Sequence, residues 1–312
     1  AMDRFGSDKP DMRFGFELKN LSDALKDCGF GVFAGAIANG GSVRGINVKG
    51  GARFSRKEID SLVEFVKSYG AKGLAWARIG EDGTIASSFA KFMTEDEMKA
   101  ILDKAGAEKG DVVFIVADTK NSSVLSVLGA LRNEAAKKLD IIPEGKWNFL
   151  WITEFPFFEW NEETEHWDAM HHPFTMPLDE CLDSLESDPG SVRAKCYDMV
   201  LNGIELLSGS IRITDYELQQ KMFRRLGLTD EDIQKKFGFL VDAYRYGAPP
   251  HGGAALGLDR LAMIMCGAPS LRDVVAFPKV QNASELMTKC PSEPDSGALA
   301  ELGLAIVCQS EE

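Results

Sequence analysis

The segment from Tyr246 to Lys279, YGAPPHGGAALGLDRLAMIMCGAPSLRDVVAFPK, restricts the possible folds of this chain more than any other part of its sequence. Its adjacent prolines cannot donate ladder hydrogen bonds, and they predict a loop or the start of a strand. The glycines that follow remove side chains from one edge of that strand, so a flat ligand can lie on the backbone. Arg260 comes where the pattern changes to an apolar helix, whose first amides favour phosphate. The layout predicts a nucleotide site, with a glycine-rich turn and a buried ion pair as the simpler alternative.

Six segments of the chain resemble one family. The Tyr246–Lys279 segment closely resembles motif 3 of the class II aminoacyl-tRNA synthetases, in the form carried by bacterial aspartyl-tRNA synthetases. The resemblance covers nearly the whole chain, follows the family's order and implies an α+β fold with the class II antiparallel-sheet catalytic core. The five other segments are FGSDKPDMRF (Phe5–Phe14), LGALR (Leu128–Arg132), HHPFT (His171–Thr175), YDMVLNGIELLSGSIRI (Tyr197–Ile213) and KFGFLVDAYRYG (Lys236–Gly247).

Composition predicts two domains and argues against a mainly electrostatic RNA binder. With 312 residues, of which 45% are hydrophobic and 27% charged, the chain can bury one large core and a smaller one. Its net charge of −13 is unfavourable for binding phosphate over a wide surface. A tRNA contact would need a local basic patch, although solvated helix faces are the commoner explanation of such clusters. The two clusters are Lys221 with Arg224 and Arg225, and Lys235 with Lys236.

The cysteines and the apolar runs predict a cytoplasmic protein. The cysteines form no CxxC pair and have no histidine at metal-ligand spacing, so they are typical of reduced thiols in the cytosol. No apolar run approaches the length of a membrane span, and the N-terminus carries charges where a signal peptide would be apolar. The six cysteines are Cys28, Cys181, Cys196, Cys266, Cys290 and Cys308.

Three regions are expected along the chain: residues 1–29 as a lead-in to the catalytic domain, 30–142 as an insertion, and 143–312 as the C-terminal part of the catalytic domain with motif 3. The insertion resembles the GAD domain, which bacterial aspartyl-tRNA synthetases share with some tRNA-dependent amidotransferase subunits. Nothing in it predicts catalysis.

Local patterns predict the elements of this insertion. Two helices are expected to begin with S/T-x-x-E capping boxes, at Ser55 to Glu58 and at Thr94 to Glu97. The expected strands are Val43–Val48, Gly73–Ile79 and Val112–Ala117, and a third helix is expected over Ser122–Lys138 with Leu125, Leu128 and Leu131 on its buried side.

A β-hairpin is predicted in YDMVLNGIELLSGSIRI, because its central Asn202 and Gly203 favour a two-residue turn with positive φ. Side chains alternate along each strand, so Asp198 and Glu205 are expected on one face as diagonal neighbours. Each acid alone would more often be a surface charge. Two acids this close are unfavourable unless a cation lies between them, and Mg²⁺ with bound ATP phosphates meets that need. The expected pairs are Leu201 with Ile204, Val200 with Glu205, and Asp198 with Leu207.

Arg212 would lie opposite the Glu205 face if the strand were unbroken. A bulge at Ser208 and Gly209 would insert one residue and return Arg212 to the acidic face, although Leu207 and Ser208 stand where relatives usually carry glycines. There Arg212 could be the structural counterion of the two acids. The resemblance implies another role, because in aspartyl-tRNA synthetases the arginine of this segment holds the aspartate side chain by a bidentate contact.

The histidine pair in HHPFT precedes a proline, which favours extended backbone in a loop or at a strand start. A single histidine is usually structural, but the resemblance implies a segment that closes over bound aspartate. His171 is the expected substrate contact, and His172 is expected as a second contact or a scaffold. Neither has metal-ligand partners at suitable spacing, so a zinc site is not expected, and His166 and His251 have weaker claims.

The resemblance implies an aspartate–tRNA ligase whose partners are L-aspartate, ATP and the acceptor end of tRNA(Asp). The aspartate α-carboxylate would attack the α-phosphorus of ATP, and the aspartyl group would then pass to the terminal ribose of tRNA. Catalysis would rest on positioning and charge neutralisation. The implied catalytic residues are Glu205, Arg212 and Arg260; the aspartate ligands are His171, His172 and Arg212; the ATP ligands are Glu205, Gly257, Leu258, Asp259 and Arg260; the Mg²⁺ ligands are Asp198 and Glu205.

Three family features have no counterpart in this sequence: the OB-fold anticodon-binding domain, the motif 1 dimer interface, and motif 2 with its arginine for the α-phosphate. The expectation is therefore a C-terminal portion that cannot activate aspartate alone, from a family whose full-length members are homodimers. The alternatives are a non-catalytic paralogue that contacts tRNA, an amidotransferase subunit, and a nondiscriminating synthetase. The retained site charges argue against the first, because unused buried charges destabilise a fold. HHPFT and motif 3 argue against the second.

Overall fold

Residues 1–307 are described by the computed structural model, in which the chain forms two compact units. The first runs from Ala1 to Ala255 and the second begins at Leu256, so the boundaries predicted near residues 30 and 142 both fall inside the first unit. Helices and antiparallel strand pairs make up the first unit, which confirms the predicted α+β class. Cys308 lies outside the described residues.

A five-stranded antiparallel sheet occupies the N-terminal part of the first unit, with strand order β1-β2-β5-β3-β4. Its strands are β1 Leu18–Asn20, β2 Ser42–Val48, β3 Ala75–Ile79, β4 Ile85–Ser87 and β5 Val112–Asp118. The edge strand β1 comes from the segment predicted as a lead-in, because Leu18 pairs with Ile46 of β2.

Helices cover both faces of the five-stranded sheet. Those of this region are α1 Met2–Phe5, α2 Ser22–Leu25, α3 Gly31–Ala38, α4 Arg56–Ser68, α5 Glu95–Ala105 and α6 Asn121–Lys138. One face packs against α4 and α6, and the other packs against α2, α3 and α5. Both predicted capping boxes are confirmed at Ser55 and Thr94. Leu125, Leu128 and Leu131 of α6 are buried, as their spacing predicts.

The capping box of α4 gives a test of local stability. We expect Ser55→Ala to lower the free energy of unfolding by about 1 kcal/mol, because the Ser55 hydroxyl satisfies the otherwise unpaired Glu58 amide. The matched control is Ser126→Ala, which removes the same hydroxyl from an exposed position inside α6 and should leave stability within about 0.5 kcal/mol. Urea denaturation followed by circular dichroism measures both, and equal losses would contradict the capping role.

A four-stranded sheet, with strand order β11-β10-β9-β6, follows in the chain. Its strands are β6 Phe149–Thr153, β9 Cys196–Leu201, β10 Ile204–Ile211 and β11 Gly252–Leu256, while β7 Phe158–Asn161 and β8 His166–Ala169 form a separate hairpin. The accompanying helices are α7 Ser184–Ser187, α8 Tyr216–Arg225 and α9 Asp230–Tyr244. Pro249 and Pro250 precede β11, as the sequence predicts.

The second unit contains two α-helices among its described residues, α10 Leu258–Met265 and α11 Ser296–Glu301, and a short 3-10 helix at Leu271–Asp273. Arg260 lies in the first turn of α10, as the change of pattern at this point predicts.

Candidate active site

The hairpin of β9 and β10 carries both predicted acids. Asn202 and Gly203 form its turn with φ values of 52° and 85°, the left-handed backbone that the sequence predicts. Glu205 lies opposite Val200, and alternation along β9 puts Asp198 on the same face as Val200. The two acids therefore share one face of the sheet. The observed pairs are Ile204 with Leu201, Glu205 with Val200, Leu207 with Met199, and Ser208 with Asp198.

The register of this hairpin corrects two predictions. Asp198 faces Ser208 rather than Leu207, and the bulge lies between Glu205 and Leu207 rather than at the serine–glycine pair that follows. Leu206 is the extra residue, and it is only 3% exposed. Burial of the Leu206 side chain stabilises the bulge at this residue, because a bulge elsewhere in the strand would turn Leu206 out of the core.

Although the bulge lies at another position, it returns Arg212 to the Asp198 side of the sheet, as predicted. There Arg212 contacts His172. Its Nη1 atom lies 2.6 Å from His172 Nε2 and 3.1 Å from Nδ1. The hydroxyls of Thr175 and Ser210 approach the same ring, at 3.3 and 3.4 Å. Within residues 1–307 Arg212 forms no ion pair with a carboxylate, which argues against its role as the structural counterion of the acids.

His172 is half-buried and suited to orient Arg212. Burial lowers the pKa of His172, and the nearby Arg212 and His171 lower it further. A ring that stays neutral at neutral pH can accept a hydrogen bond from the guanidinium. The loop that carries the ring is fixed from α8, because the buried Gln219 side chain donates to the Pro173 carbonyl at 2.8 Å.

Asp198 is only 7% exposed and shares its face of the sheet with Glu205. Burial raises its pKa, and the charges of Glu205 and Asp8 also raise it, whereas a hydrogen bond with Ser208 and the nearby His171 lower it. A divalent cation would relieve this repulsion, so the pair of acids fits Mg²⁺. No group of three or more His, Cys, Asp or Glu among the described residues is arranged to hold a metal alone, so a bound ligand would have to supply further oxygens.

His171 precedes His172 in the chain and lies near enough to Asp198 to lower the pKa of that carboxyl. Its exposed ring packs edge-on against Phe155, with the ring centroids 5.0 Å apart and an angle of 88° between the planes. Its role as an aspartate contact stays a prediction.

Four neighbours of the site were not predicted. Thr175 and Ser210 belong to the HHPFT and GSIRI strings, so a search of those strings for hydroxyls could have found them. Asp8 lies in the loop after α1. Tyr244 ends α9, where burial raises its pKa and the charge of Arg212 opposes that shift. Neither of the last two has a local sequence signal, because only the tertiary fold brings them to the hairpin.

The motif 3 residues belong to the second unit. Gly257 precedes α10, Leu258 and Asp259 begin it, and Arg260 follows in the same turn. Their contribution to an ATP site stays a prediction.

The basic clusters considered for tRNA lie on α8 and α9. Arg224 is engaged in an exposed ion pair with Asp230 at 3.0 Å, which is typical of a solvated helix face. Across residues 1–307, none of the helices has both the length and the apolar character needed to cross a bilayer.

Comparison with known proteins identifies what the chain is similar to. The family model described as tRNA synthetases class II (D, K and N) matches residues 1–281. An aspartate–tRNA ligase of Ruminiclostridium cellulolyticum is 60% identical over 306 residues, which cover 98% of this chain and 51% of the relative. An aspartate–tRNA(Asp/Asn) ligase of Lachnoclostridium phytofermentans is 55% identical over 312 residues, which cover 100% of this chain and 52% of the relative. The chain thus spans about half the length of the curated relatives it matches.

Among solved structures, the aspartyl-tRNA synthetase of Entamoeba histolytica matches with a TM-score of 0.34 and 19% identity, over 78% of this chain and 44% of that one.

Proposed function

Because this chain belongs to the class II tRNA synthetases (D, K and N), we propose that it provides the aspartate-binding and metal-binding side of an aspartate–tRNA ligase. The observation that carries the proposal is the placement of Arg212. It is half-buried, held by His172 and without a carboxylate partner in the described part of the chain, on the face that also carries Asp198. A carboxylate substrate would compensate this charge, and a planar guanidinium can bind it at two points.

The proposed reaction begins when the α-carboxylate of aspartate attacks the α-phosphorus of ATP. Aspartyl-adenylate forms and pyrophosphate leaves, and a terminal ribose hydroxyl of tRNA then takes the aspartyl group while AMP leaves. In this reaction Arg212 binds the side-chain carboxylate of aspartate, and His172 keeps the guanidinium in place. The residues act by positioning and by charge compensation, since no protein nucleophile is needed.

Asp198 and Glu205 are proposed to hold Mg²⁺ when ATP is bound. The ion would supply positive charge to the triphosphate, and the two carboxylates would fix its position. Arg260, with Gly257 and its neighbours in α10, is proposed to bind ATP because these residues match motif 3.

Pyrophosphate exchange tests the proposal. The measurement is aspartate-dependent exchange of pyrophosphate into ATP, first with the chain alone and then with the R. cellulolyticum ligase in which this chain replaces the matched segment. We call the second protein the substituted relative. We expect exchange in the substituted relative. A folded substituted relative without exchange would contradict the proposal, and exchange by the chain alone would contradict its predicted inactivity in isolation.

Asp198→Asn is expected to lower the exchange rate of the substituted relative by roughly 100-fold at a fixed Mg²⁺ concentration, because a neutral amide is a poor Mg²⁺ ligand. Raising the Mg²⁺ concentration should restore part of the rate. The matched control is Asp168→Asn, which removes a half-exposed acid paired with His166 and should leave the rate within about twofold. An unchanged Mg²⁺ dependence in Asp198→Asn would contradict the metal role.

The proposal implies a cytoplasmic location and tRNA(Asp) as the acceptor. Relatives named for tRNA(Asp) alone and for tRNA(Asp/Asn) match this chain at 60% and 55% identity. A nondiscriminating ligase is therefore the second candidate, and charging of the two purified tRNAs by the substituted relative compares them.

A further inference from the structure

Arg132 is a fully buried cation that the proposed reaction does not use. It lies on α6, and its guanidinium reaches the segment from Ser7 to Phe16, which follows α1. Its donors reach three backbone carbonyls: Nη2 binds the Asp11 and Gly15 oxygens, and Nε binds the Phe16 oxygen at 3.3 Å. The helix is thus tied to a loop that is distant in sequence.

Burying the Arg132 charge without a carboxylate partner costs free energy. A role in holding the loop explains why an arginine occupies this position. Burial lowers the pKa of Arg132 to about 10, so the side chain keeps its charge at neutral pH. No carboxylate among the described residues forms an ion pair with it, because Asp11 pairs with Arg13 at 2.7 Å. Phe5 and Phe14 contribute only their ring faces, with centroids 5.0 and 4.7 Å from the guanidinium carbon. An apolar residue of similar size would avoid the cost of burying a charge.

The loop held by Arg132 reaches the turn of the catalytic hairpin. Its Asp11 lies against this turn, because a Cβ placed on Gly203 would lie 3.3 Å from the Asp11 Cβ. A cleft beside this contact is lined both by α6 and by the turn, including Asn133 on the helix side. A chain of contacts therefore runs from α6 to the turn that joins the strands of Asp198 and Glu205.

We propose that Arg132 is a positioning residue for the acid pair: it fixes the Ser7–Phe16 loop, which supports the turn between the strands that carry Asp198 and Glu205. The five-stranded region is thereby coupled to the metal-binding side of the site. This inference rests on the proposed function for its meaning, but its first test is independent of activity.

The first test is Mn²⁺ binding to the 312-residue chain in the presence of a nonhydrolysable ATP analogue, which supplies the further oxygens, measured by water-proton relaxation. Asp198→Asn should remove the site, which assigns the ion to the acid pair. Arg132→Met should weaken Mn²⁺ binding by roughly 10-fold, because residues that orient metal ligands have effects of this size. The control Arg53→Met removes an arginine that binds the Leu139 carbonyl within the five-stranded region, and should change affinity by less than about twofold.

The second test uses the substituted relative and separates positioning from a general loss of structure. Arg132→Met should raise the Mg²⁺ concentration for half-maximal exchange by roughly 10-fold while the KM for aspartate stays within about twofold. A purely structural role would instead lower the amount of active protein and leave the Mg²⁺ midpoint unchanged. Arg132→Lys keeps the charge but cannot reach all three carbonyls, so an intermediate shift is expected and provides the measurement if Arg132→Met does not fold.

Either of two results would contradict the positioning role of Arg132. It fails if folded Arg132→Met and Arg132→Lys bind Mn²⁺ like the parent chain, or if the parent chain has no Mn²⁺ site that depends on Asp198. A substituted relative without exchange contradicts the proposed function, and the Mn²⁺ measurements then still decide the role of Arg132.

Discussion

Arg212→Lys is expected to lower kcat/KM for aspartate by roughly 100-fold or more in the substituted relative, while the KM for ATP changes little. Loss of one partner from a buried, hydrogen-bonded charge pair costs about 3 kcal/mol, which corresponds to this factor. Lysine keeps the positive charge, but its ammonium cannot reproduce the planar two-point contact with a carboxylate. It also cannot preserve the geometry with which Arg212 Nη1 meets His172 Nε2 at 2.6 Å.

Steady-state exchange kinetics with aspartate as the varied substrate measure this effect. The matched control is Arg224→Lys, because Arg224 forms an exposed ion pair with Asp230 and such pairs contribute about 0–1 kcal/mol. His172→Ala gives a second comparison, since removal of the support for Arg212 should produce a smaller loss in the same parameter. If Arg212→Lys keeps kcat/KM within about threefold, Arg212 does not recognise the aspartate side chain.

In the β9–β10 hairpin, local sequence rules predict the turn and the nearest residue pairs but not the position of the bulge. The turn at Asn202 and Gly203 and the first two pairs follow from backbone conformation and from counting, and both predictions are confirmed. The bulge does not follow from counting, because several positions can accommodate an extra residue. Backbone freedom favours Gly209, whereas the structure uses Leu206, whose side chain gains burial in the core. Tertiary packing determines the position of the bulge, and no sequence pattern within the hairpin predicts it.

Local sequence patterns also do not predict contacts in the site between residues that are distant in the chain. Capping boxes and apolar spacing predict the helices of the five-stranded region, because a helix end depends on residues within one turn. The position of Asp8 depends instead on a loop held by Arg132 from α6. Both residues lie in strings that resemble the family, yet nothing in either string indicates the other. Arg132 contacts the loop of Asp8 through the Asp11, Gly15 and Phe16 carbonyls, where α1 packs against α6.

The packing of α1 against α6 leads to the second prediction: Gly129→Ala should destabilise the chain by about 2 kcal/mol net. A Cβ on Gly129 would lie 2.1 Å from the carbonyl oxygen of Gly6, so the backbone itself must move. Overpacking of this kind costs about 3 kcal/mol, and the better helix propensity of alanine returns only about 1 kcal/mol. The reverse contact is equally close, because a Cβ on Gly6 would lie 2.2 Å from the Leu125 carbonyl oxygen.

Gly35→Ala is the matched control for Gly129→Ala, because Gly35 lies inside α3 with nothing within 4 Å of the added carbon. It should leave stability unchanged or raise it by up to about 1 kcal/mol, so the two identical substitutions are expected to differ in sign. Urea denaturation gives the free energies. Hydrogen exchange should locate the Gly129→Ala effect in residues 5–16, since this loop must move away from α6. Equal stabilities would mean that α1 and its loop are not packed against α6, and the proposed path from Arg132 to the acid pair would then have no physical basis.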